Sequence, residues 1–423
     1  MFVVQVASPF LWSWPLPLLL AGAGFYLGGR YGWPQFRLRH RWRQTFGAKS
    51  ARLGYVTPLQ SLCTSLSATI GTGNIVGVAI AVTAGGAGAV FWMWVSALLG
   101  MGTIYAENVL GVRYRRKFGG GPMYYLRDGL GGRAGRVLAG IYAGAVLASA
   151  LGMGSMVQAG AIASAADALC GAPNLVTAVL LAALTGFAVA GGLKRVARLS
   201  EKLLPVMAGL YILGCFVLLA LHAAALPDVL ASIVRDAFSM RSFSRGLAGS
   251  VISWGFRRGI FSNEAGLGTS TMVLSAADDV TEAAAGSWGV VQVLADTLIV
   301  CTCTALSVLV TGAPDTAAAF GGVFGPAGEA FVSVCLLLFA LTTVLGCSVY
   351  GERAVGYLFG RGTGLYRAAY TAAVFVGSLA DVWLAWAMAD AVNAVLALSN
   401  LAGVLLLTKK ETGQSPVSRN SRY

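Results

Sequence analysis

The chain has 423 residues, of which 57% are hydrophobic and only 11% are charged. Soluble domains carry about 25% charged residues, and many apolar runs here reach the roughly 20 residues that cross a bilayer. We therefore expect an all-α polytopic protein of the cell membrane, with the lipid bilayer as its surroundings. The net charge of +13 lies largely in short basic loops at 37–52 and 113–117. Such loops mark the cytoplasmic face rather than a nucleic-acid-binding surface.

The side chains that most enzymes need are scarce. The chain has two histidines, His40 and His222, and seven cysteines that lie mostly within apolar runs without metal-type partners. No GxxxxGK[ST] sequence is present for ATP, and no nucleophile with a neighbouring base is evident. We therefore predict a protein that is not an enzyme. A passive channel is the other alternative, although one asymmetric chain does not suggest the ring of an oligomeric filter.

About eleven segments are predicted to be transmembrane helices. No basic residue precedes the first segment and a basic loop follows it, which predicts an N-terminus outside and a C-terminus in the cytoplasm. The predicted divisions are an N-terminal helix and basic loop at 1–57, a first five-helix unit at 58–224 and an extracellular connection at 225–242. A second five-helix unit follows at 243–408, and the tail at 409–423 is expected to be disordered. The predicted spans are 9–29, 58–83, 88–112, 135–168, 173–193, 200–224, 243–275, 286–311, 326–350, 363–380 and 382–408.

The stretch SATIGTGNIVGVAIAV at 67–82 combines an apolar composition with a Gly-Thr-Gly-Asn run. Glycine favours helices weakly, so the run at 71–74 predicts a place where the helix opens. In a membrane an opened backbone is tolerated only where protein buries it or where it lines a cavity. The freed groups can then bind ions or polar ligands. The alternative is a kinked helix whose glycines serve close packing.

A second polar interruption lies in 243–275, where Arg257, Arg258 and Glu264 stand among several glycines. Charges at this depth cost at least ~2.5–3.5 kcal/mol each, so they need partners or a wet cavity. Two broken helices, each opening a set of five, are the pattern of an inverted-repeat secondary transporter. The predicted fold is therefore a 5+5 inverted repeat preceded by one extra helix.

These motifs resemble the alanine/glycine:cation symporter family, also called sodium:alanine symporters, over residues 15–408. The resemblance implies the leucine-transporter-type fold and uptake of alanine or glycine coupled to entry of Na⁺, or sometimes H⁺. The matching stretches are IGTGNIVGVA (70–79), GAVFWMWV (88–95), GGPMYYL (120–126), GGLKRVARLSEKLLPVM (191–207), RGIFSNEAGLG (258–268), DTLIVCTCTAL (296–306), YGE (350–352) and WAMADAVNAVLALSNL (386–401).

The chain departs from the family pattern at four positions. Ser155 and Gly160 replace two asparagines of a G-N-x-x-Q-x-N motif, of which Gln158 is kept. Cys347 stands where the family has an asparagine, and Ser399 replaces a proline. These changes bear on substrate preference more than on the class of transporter.

A zwitterionic amino acid needs one cradle for its carboxylate and another for its ammonium group. Backbone N–H groups of Gly71 and Gly73 can bind the carboxylate. The Ile70 carbonyl, together with carbonyls of a second opening near Phe256 and Gly259, can bind the ammonium group. The neutral side chains of Asn74 and Gln158 can orient both ends. The alternative is a capping role within the break for Asn74 and an interhelical hydrogen bond for Gln158. The predicted polar substrate-binding residues are Ile70, Gly71, Thr72, Gly73, Asn74, Gln158 and Gly259.

Large side chains are expected to close the pocket around a small substrate. The family resemblance favours Trp386 as a wall, and packing or a place in the interfacial aromatic belt is the alternative. The predicted wall residues are Trp254, Phe256, Phe261, Trp386 and Met388.

Na⁺ is a hard cation that prefers oxygen ligands. Thr342 and Thr343 offer adjacent hydroxyls, and the fold implied by the resemblance pairs their span with the first broken helix. Carbonyls of Ser67 and Ile70 would complete the shell. The alternative is that each threonine bonds its own helix backbone. We expect no cofactor apart from Na⁺ as the coupling ion.

Three carboxylates inside predicted spans remain as candidates for gating or for bracing. They are Asp296, Asp390 and Glu264, and pairing of Asp296 or Glu264 with Arg257 or Arg258 is one interpretation. The predicted function is a secondary active symporter of alanine and glycine coupled to Na⁺. The alternative is a transporter coupled to H⁺ or Na⁺ for another small amino acid or amine.

Overall fold

A computed structural model describes residues 10–38, 56–116, 119–239, 251–277, 280–380 and 382–410, with side chains in the last range from 385 onward. Within these ranges every regular element longer than an isolated bridge is helical. The helices are α1 Pro15–Arg30, α2 Pro58–Thr69, α3 Val78–Gly85, α4 Gly88–Arg113, α5 Gly132–Leu151, α6 Gln158–Cys170, α7 Asn174–Ala190, α8 Gly192–Leu221, α9 Leu226–Ala237, α10 Val251–Asn263, α11 Thr271–Leu274, α12 Glu282–Val293, α13 Thr302–Thr311, α14 Thr316–Phe324, α15 Pro326–Phe359, α16 Thr363–Gly377 and α17 Val382–Lys410.

Helices occur in all eleven predicted segments, so the all-helical membrane fold is confirmed. Six helices of the described ranges are long and apolar enough to cross a membrane, and α2 with the helix after it makes a seventh if the bent pair is one span. The count of eleven spans, the two repeats and the domain boundaries stay predictions. Helix α17 includes Lys409 and Lys410, and the other residues of the tail predicted at 409–423 lie outside the described ranges. Most of the basic loop at 37–52 lies outside them too.

The first helix break lies where the sequence predicts it. A capping box at Thr57 and Gln60 starts α2, and the helix ends at Thr69 because Ile70 adopts an extended backbone with φ −76° and ψ 95°. A π-helical turn, Gly73–Gly77, leads into α3, and the two helical arms are bent by 49°. The predicted opening of this helix is confirmed.

The second break lies further along the chain than predicted. Phe256 and Gly259 are inside the continuous helix α10, so the expected opening near them is wrong. A β-carbon on Gly259 would lie 2.5 Å from the Ser96 hydroxyl oxygen on α4, which shows that this glycine serves close helix packing. The chain opens after Asn263, at Glu264 with φ 58° and Gly266 with φ 97°, and becomes helical again at α11.

The broken helices are held inside the bundle by α4 and α15. Helix α4 packs against α10, α12 and α1. Helix α15 approaches α2 so closely that a β-carbon on Gly346 would lie 2.7 Å from the backbone nitrogen of Ala68. This contact brings the middle of α15 to the end of α2, where the first break begins.

Candidate functional site

Three separate helices meet at the first break. The backbone N–H of Gly71 donates to Asn74 Oδ1 at 2.8 Å, and the N–H of Thr72 donates to Gln158 Oε1 at 3.2 Å. A β-carbon on Gly71 would lie 2.3 Å from Thr343 Oγ1 and 3.1 Å from Gln158 Oε1, so only glycine fits there. The structure therefore brings the predicted residues of α2, α6 and α15 together around one opened stretch of backbone.

Gln158 follows another π-helical turn, Gly152–Val157. Its side-chain nitrogen donates to the Met153 carbonyl at 3.3 Å while its oxygen accepts from Thr72. The sequence predicts that the N–H groups of Gly71 and Gly73 bind a carboxylate, and in the structure the Gly71 N–H donates to Asn74 while the neighbouring Thr72 N–H donates to Gln158. Neutral amide oxygens thus occupy acceptor positions that a carboxylate oxygen could take.

Asn74 joins the break to a buried carboxylate. Its side-chain nitrogen donates to Asp296 Oδ1 at 2.7 Å. The other carboxylate oxygen accepts from Ser262 Oγ at 2.7 Å and from Thr297 Oγ1 at 2.8 Å. Asp296 is fully buried on the π-helical segment Leu294–Cys301, and the hydrogen bonds described for its side chain all come from neutral groups. The predicted pairing of Asp296 with an arginine is therefore wrong.

Oxygen atoms converge next to the break on the Thr343 hydroxyl. Thr343 Oγ1 lies 3.1 Å from each of three backbone carbonyl oxygens, those of Ser67, Ile70 and Phe339. The Ser67 hydroxyl is buried and has no hydrogen-bond partner within the described ranges. This set of hydroxyl and carbonyl oxygens suits a hard monovalent cation.

Thr342 does not belong to this set. Its hydroxyl donates to the Phe339 carbonyl at 3.0 Å and lies 3.2 Å from Met207 Sδ on α8. Successive residues of an α-helix point about 100° apart, so one threonine faces the break and its neighbour faces away. The prediction of two adjacent hydroxyl ligands is corrected to one.

Two aromatic rings cover the other side of the break. Phe261 and Trp386 stack with centroids 4.5 Å apart and planes 28° apart. A β-carbon on Gly73 would lie 3.1 Å from the Phe261 ring, and one on Gly77 would lie 3.7 Å from the Trp386 ring. Met153 packs in the same buried cluster. These two predicted wall residues therefore lie against the opened helix.

The structure does not bring the other predicted wall residues to the break. Trp254 packs against Gly85, and Phe256 lies in the core cluster that contains Trp12. Met388 is 46% exposed on the outer face of α17. These predictions are corrected because, on one helix, residues such as Phe256 and Phe261 share a segment but not a face.

The second break is held by a separate polar network. Asn400 donates to Glu107 Oε1 at 2.5 Å and to the Gly266 carbonyl at 2.9 Å, and the Tyr142 hydroxyl donates to the Leu267 carbonyl at 2.7 Å. Glu264 accepts from Thr269 at 2.5 Å and from Tyr350 at 3.2 Å rather than pairing with an arginine. Of the two interpretations of Glu264, bracing is the one that these contacts favour.

Sequence reasoning missed several groups at the site. Ser262 and Thr297 are small polar residues in apolar spans, and such residues give no signal until their neighbours in space are known. The Phe339 carbonyl belongs to the backbone, so no residue type reveals it. The carboxylate of Asp296 inside a predicted span indicates a functional region, but it does not predict which residues bond Asp296.

Two broken helices that meet around buried polar groups define a secondary transporter. The fold agrees with the structure of MhsT in complex with L-phenylalanine, with a TM-score of 0.63 over 84% of this chain and 89% of that chain, at 15% sequence identity. The profile described as the sodium:alanine symporter family matches residues 1–415. The chain belongs to the sodium:alanine symporter family.

Characterised and uncharacterised relatives cover nearly the whole chain. An uncharacterised transporter of Haemophilus influenzae is 40% identical over 96% of this chain and 93% of the relative. The sodium/alanine symporter AgcS of Methanococcus maripaludis is 37% identical over 96% of this chain and 94% of its own length. The amino-acid carrier protein AlsT of Bacillus subtilis is 36% identical over 96% and 89%. The predicted family and the transporter class are confirmed.

Proposed function

We propose that the protein takes up alanine and glycine through the cell membrane together with Na⁺, with its N-terminus outside and its C-terminus in the cytoplasm. The observation that carries the proposal is the shared backbone of the two candidate subsites. Ile70 contributes its carbonyl to the Thr343 oxygen cluster, and the next two residues bond Asn74 and Gln158. A cation and a carboxylate bound there would lie next to each other along one short stretch of chain.

The proposed cation subsite is made by Ser67, Ile70, Phe339 and Thr343. A bound Na⁺ would orient these neutral carbonyl and hydroxyl oxygens toward itself, so the hydrogen bond that the Thr343 hydroxyl donates would be exchanged for coordination. The bend between α2 and α3 is then held from the side of α15. This is how binding of the ion would favour one arrangement of the broken helix.

The proposed substrate subsite adjoins the cation subsite, because a β-carbon on Gly71 would contact both Thr343 Oγ1 and Gln158 Oε1. The α-carboxylate of the substrate takes the backbone N–H groups of the break in place of the Gln158 oxygen, and the side-chain nitrogen of Gln158 is then free to donate to it. Phe261 and Trp386 limit the length of the substrate side chain. Asp296 holds Asn74 in position against Gly71 and provides the negative charge nearest to the substrate ammonium group.

Uptake into proteoliposomes tests the proposal. The purified protein is reconstituted, and uptake of radiolabelled alanine or glycine is measured with an inward Na⁺ gradient, with an inward H⁺ gradient, or with neither. We expect accumulation above the external concentration only with the Na⁺ gradient. Accumulation driven by H⁺ alone would favour the alternative coupling ion. Gradient-driven uptake of another small amine but not of alanine would replace the proposed substrate.

A further inference from the structure

Two arginines and one aspartate form a cluster outside the site described above. The guanidinium groups of Arg257 and Arg258 both donate to the same carboxylate oxygen, Oδ2 of Asp390. Arg258 is 4% exposed and Asp390 is 1% exposed. Among the described residues no other ion pair involves these three side chains. The cluster therefore holds two positive charges and one negative charge inside the protein.

Several polar atoms of this cluster are buried without a hydrogen-bond partner in the described ranges. They are Nε and Nη1 of Arg258, Nε of Arg257 and Oδ1 of Asp390. A buried polar group without a hydrogen bond costs roughly 1–3 kcal/mol, and an uncompensated charge at membrane depth costs more. Donor atoms thus remain available on the arginines and an acceptor atom on Asp390.

The cluster adjoins the aromatic rings at the first break. The Arg258 guanidinium carbon lies 4.8 Å from the Trp386 ring centroid and 5.6 Å from that of Phe261. A β-carbon on Gly77 would lie 3.7 Å from the Trp386 ring and 3.9 Å from Arg258 Cδ. Arg258 precedes Ser262 by one helical turn, so the cluster lies about 6 Å along α10 from the residues that bind Asp296.

We propose that this cluster is an anion subsite that receives the α-carboxylate of the amino acid on its way to the first break, an inference that rests on the proposed function. A guanidinium presents parallel N–H groups that match the two oxygens of a carboxylate. The excess positive charge attracts an anion, and Asp390 Oδ1 accepts a hydrogen bond from the ammonium group of the same molecule. The ring stack separates this subsite from the first break.

Association kinetics of full-length protein in nanodiscs test the subsite. Binding of radiolabelled alanine is followed by rapid filtration at saturating Na⁺ for the wild type and for Arg258→Gln. That substitution leaves Arg257 paired with Asp390, so it creates no unpaired acid. We expect the association rate constant to fall roughly tenfold, because electrostatic attraction acts chiefly on association. We expect the dissociation rate constant to change less.

Three controls distinguish a carboxylate subsite from a general effect of charge and from a site for an inorganic anion. Arg235→Gln removes the same charge from the exposed helix α9, and we expect wild-type association. Propionate, a carboxylate without an ammonium group, should slow alanine association in the wild type and not in Arg258→Gln. Replacing chloride by methanesulfonate, which carries no carboxylate group, should change neither protein. Chloride-dependent binding that is lost in Arg258→Gln would assign the cluster to an inorganic anion and overturn the proposal.

An unchanged association rate constant in Arg258→Gln also overturns the proposal. If that variant does not purify as a monodisperse protein, Arg258→Lys decides, because it keeps the charge and loses the forked geometry. Weakened competition by propionate then supports the carboxylate subsite, and wild-type competition contradicts it. Absence of saturable alanine binding by the wild type would instead contradict the proposed function itself.

Discussion

The two helix breaks solve one physical problem with different partners. In each, glycines let the backbone leave the helix where no bulk water can satisfy it. At the first break the groups that contact the opened backbone are uncharged, Asn74, Gln158 and the Thr343 hydroxyl, and the carboxylate of Asp296 behind Asn74 keeps hydrogen bonds from Ser262 and Thr297. At the second break the partner network contains two carboxylates, Glu107 and Glu264, and draws on several other helices.

The difference indicates which break exchanges partners with a ligand. When a ligand displaces a neutral amide or hydroxyl, it leaves no buried charge behind, so the cost of exchange is small. Displacing Asn400 from Glu107 would strip a fully buried carboxylate of its hydrogen bond, which costs more. We therefore interpret the first break as the binding element and the second as a brace that keeps α10 and α11 in place.

The most severe test of the first break is Gly73→Leu, for which we expect loss of uptake with normal insertion. The leucine side chain would occupy the space next to the Phe261 ring, where even a β-carbon lies at 3.1 Å. Uptake of labelled alanine by proteoliposomes measures the effect. Gly209→Leu is the matched control, because a β-carbon at Gly209 has no neighbour within 4 Å. Wild-type uptake by Gly73→Leu would move the binding element away from this break.

The brace is tested by Asn400→Leu, which removes the hydrogen bond to the Gly266 carbonyl and leaves the Glu107 carboxylate buried without the one that it accepts from Asn400. We expect the free energy of unfolding to fall by about 2–4 kcal/mol. Thermal melting of the purified protein measures the loss, and the additional stabilisation by Na⁺ should persist. Ser399→Ala is the control, since among the described residues that hydroxyl bonds carbonyls of its own helix alone. A melting temperature equal to that of the wild type would show that Asn400 braces nothing.

Sequence reasoning located the first break and the class of transporter because both rest on local signals. A Gly-Thr-Gly-Asn run in an apolar span is visible without any tertiary contact, and so are the family motifs around it. The second break is predicted too early in the chain, because glycines at 255 and 259 give the same sequence pattern whether a helix opens there or packs closely against another helix. Only the neighbouring helix α4 decides between these roles.

Predicting the individual site residues requires knowing which face each helix turns toward the break. Phe261 and Trp386 were predicted together with Phe256 and Met388, and rotation about the helix axis separated the two pairs. The same rotation separated Thr343 from its neighbour. Composition and spacing cannot fix that angle when a helix is apolar on all sides, as buried membrane helices are.

The aromatic wall is tested by trimming Trp386, which stacks on Phe261 next to the first break. We expect Trp386→Ala to admit larger amino acids, with relative transport of leucine raised roughly tenfold to two-hundredfold, because each methylene in a hydrophobic pocket is worth about 1–3 kcal/mol. Competition of labelled alanine uptake by unlabelled glycine, alanine, valine and leucine measures the range. Trp254→Ala, away from the break, should keep the wild-type profile. The wall assignment fails if the two variants behave alike.

The smallest expected effect separates two adjacent hydroxyls on α15. Thr343→Val removes the oxygen that meets the Ser67 and Ile70 carbonyls and keeps the shape of the side chain. Loss of one neutral oxygen ligand is worth about 1 kcal/mol, so we expect roughly a fivefold rise in the Na⁺ concentration for half-maximal alanine uptake. Thr342→Val is the matched control, because its hydroxyl faces Met207, and we expect an unchanged Na⁺ activation curve. If both variants have the same Na⁺ activation curve, Thr343 does not belong to the cation subsite. If Thr342→Val needs more Na⁺ than Thr343→Val, Thr342 is the ligand instead. The two substitutions are chemically identical and one residue apart. A difference between their Na⁺ activation curves therefore reflects the direction in which each hydroxyl points and not the mere loss of a hydroxyl from α15.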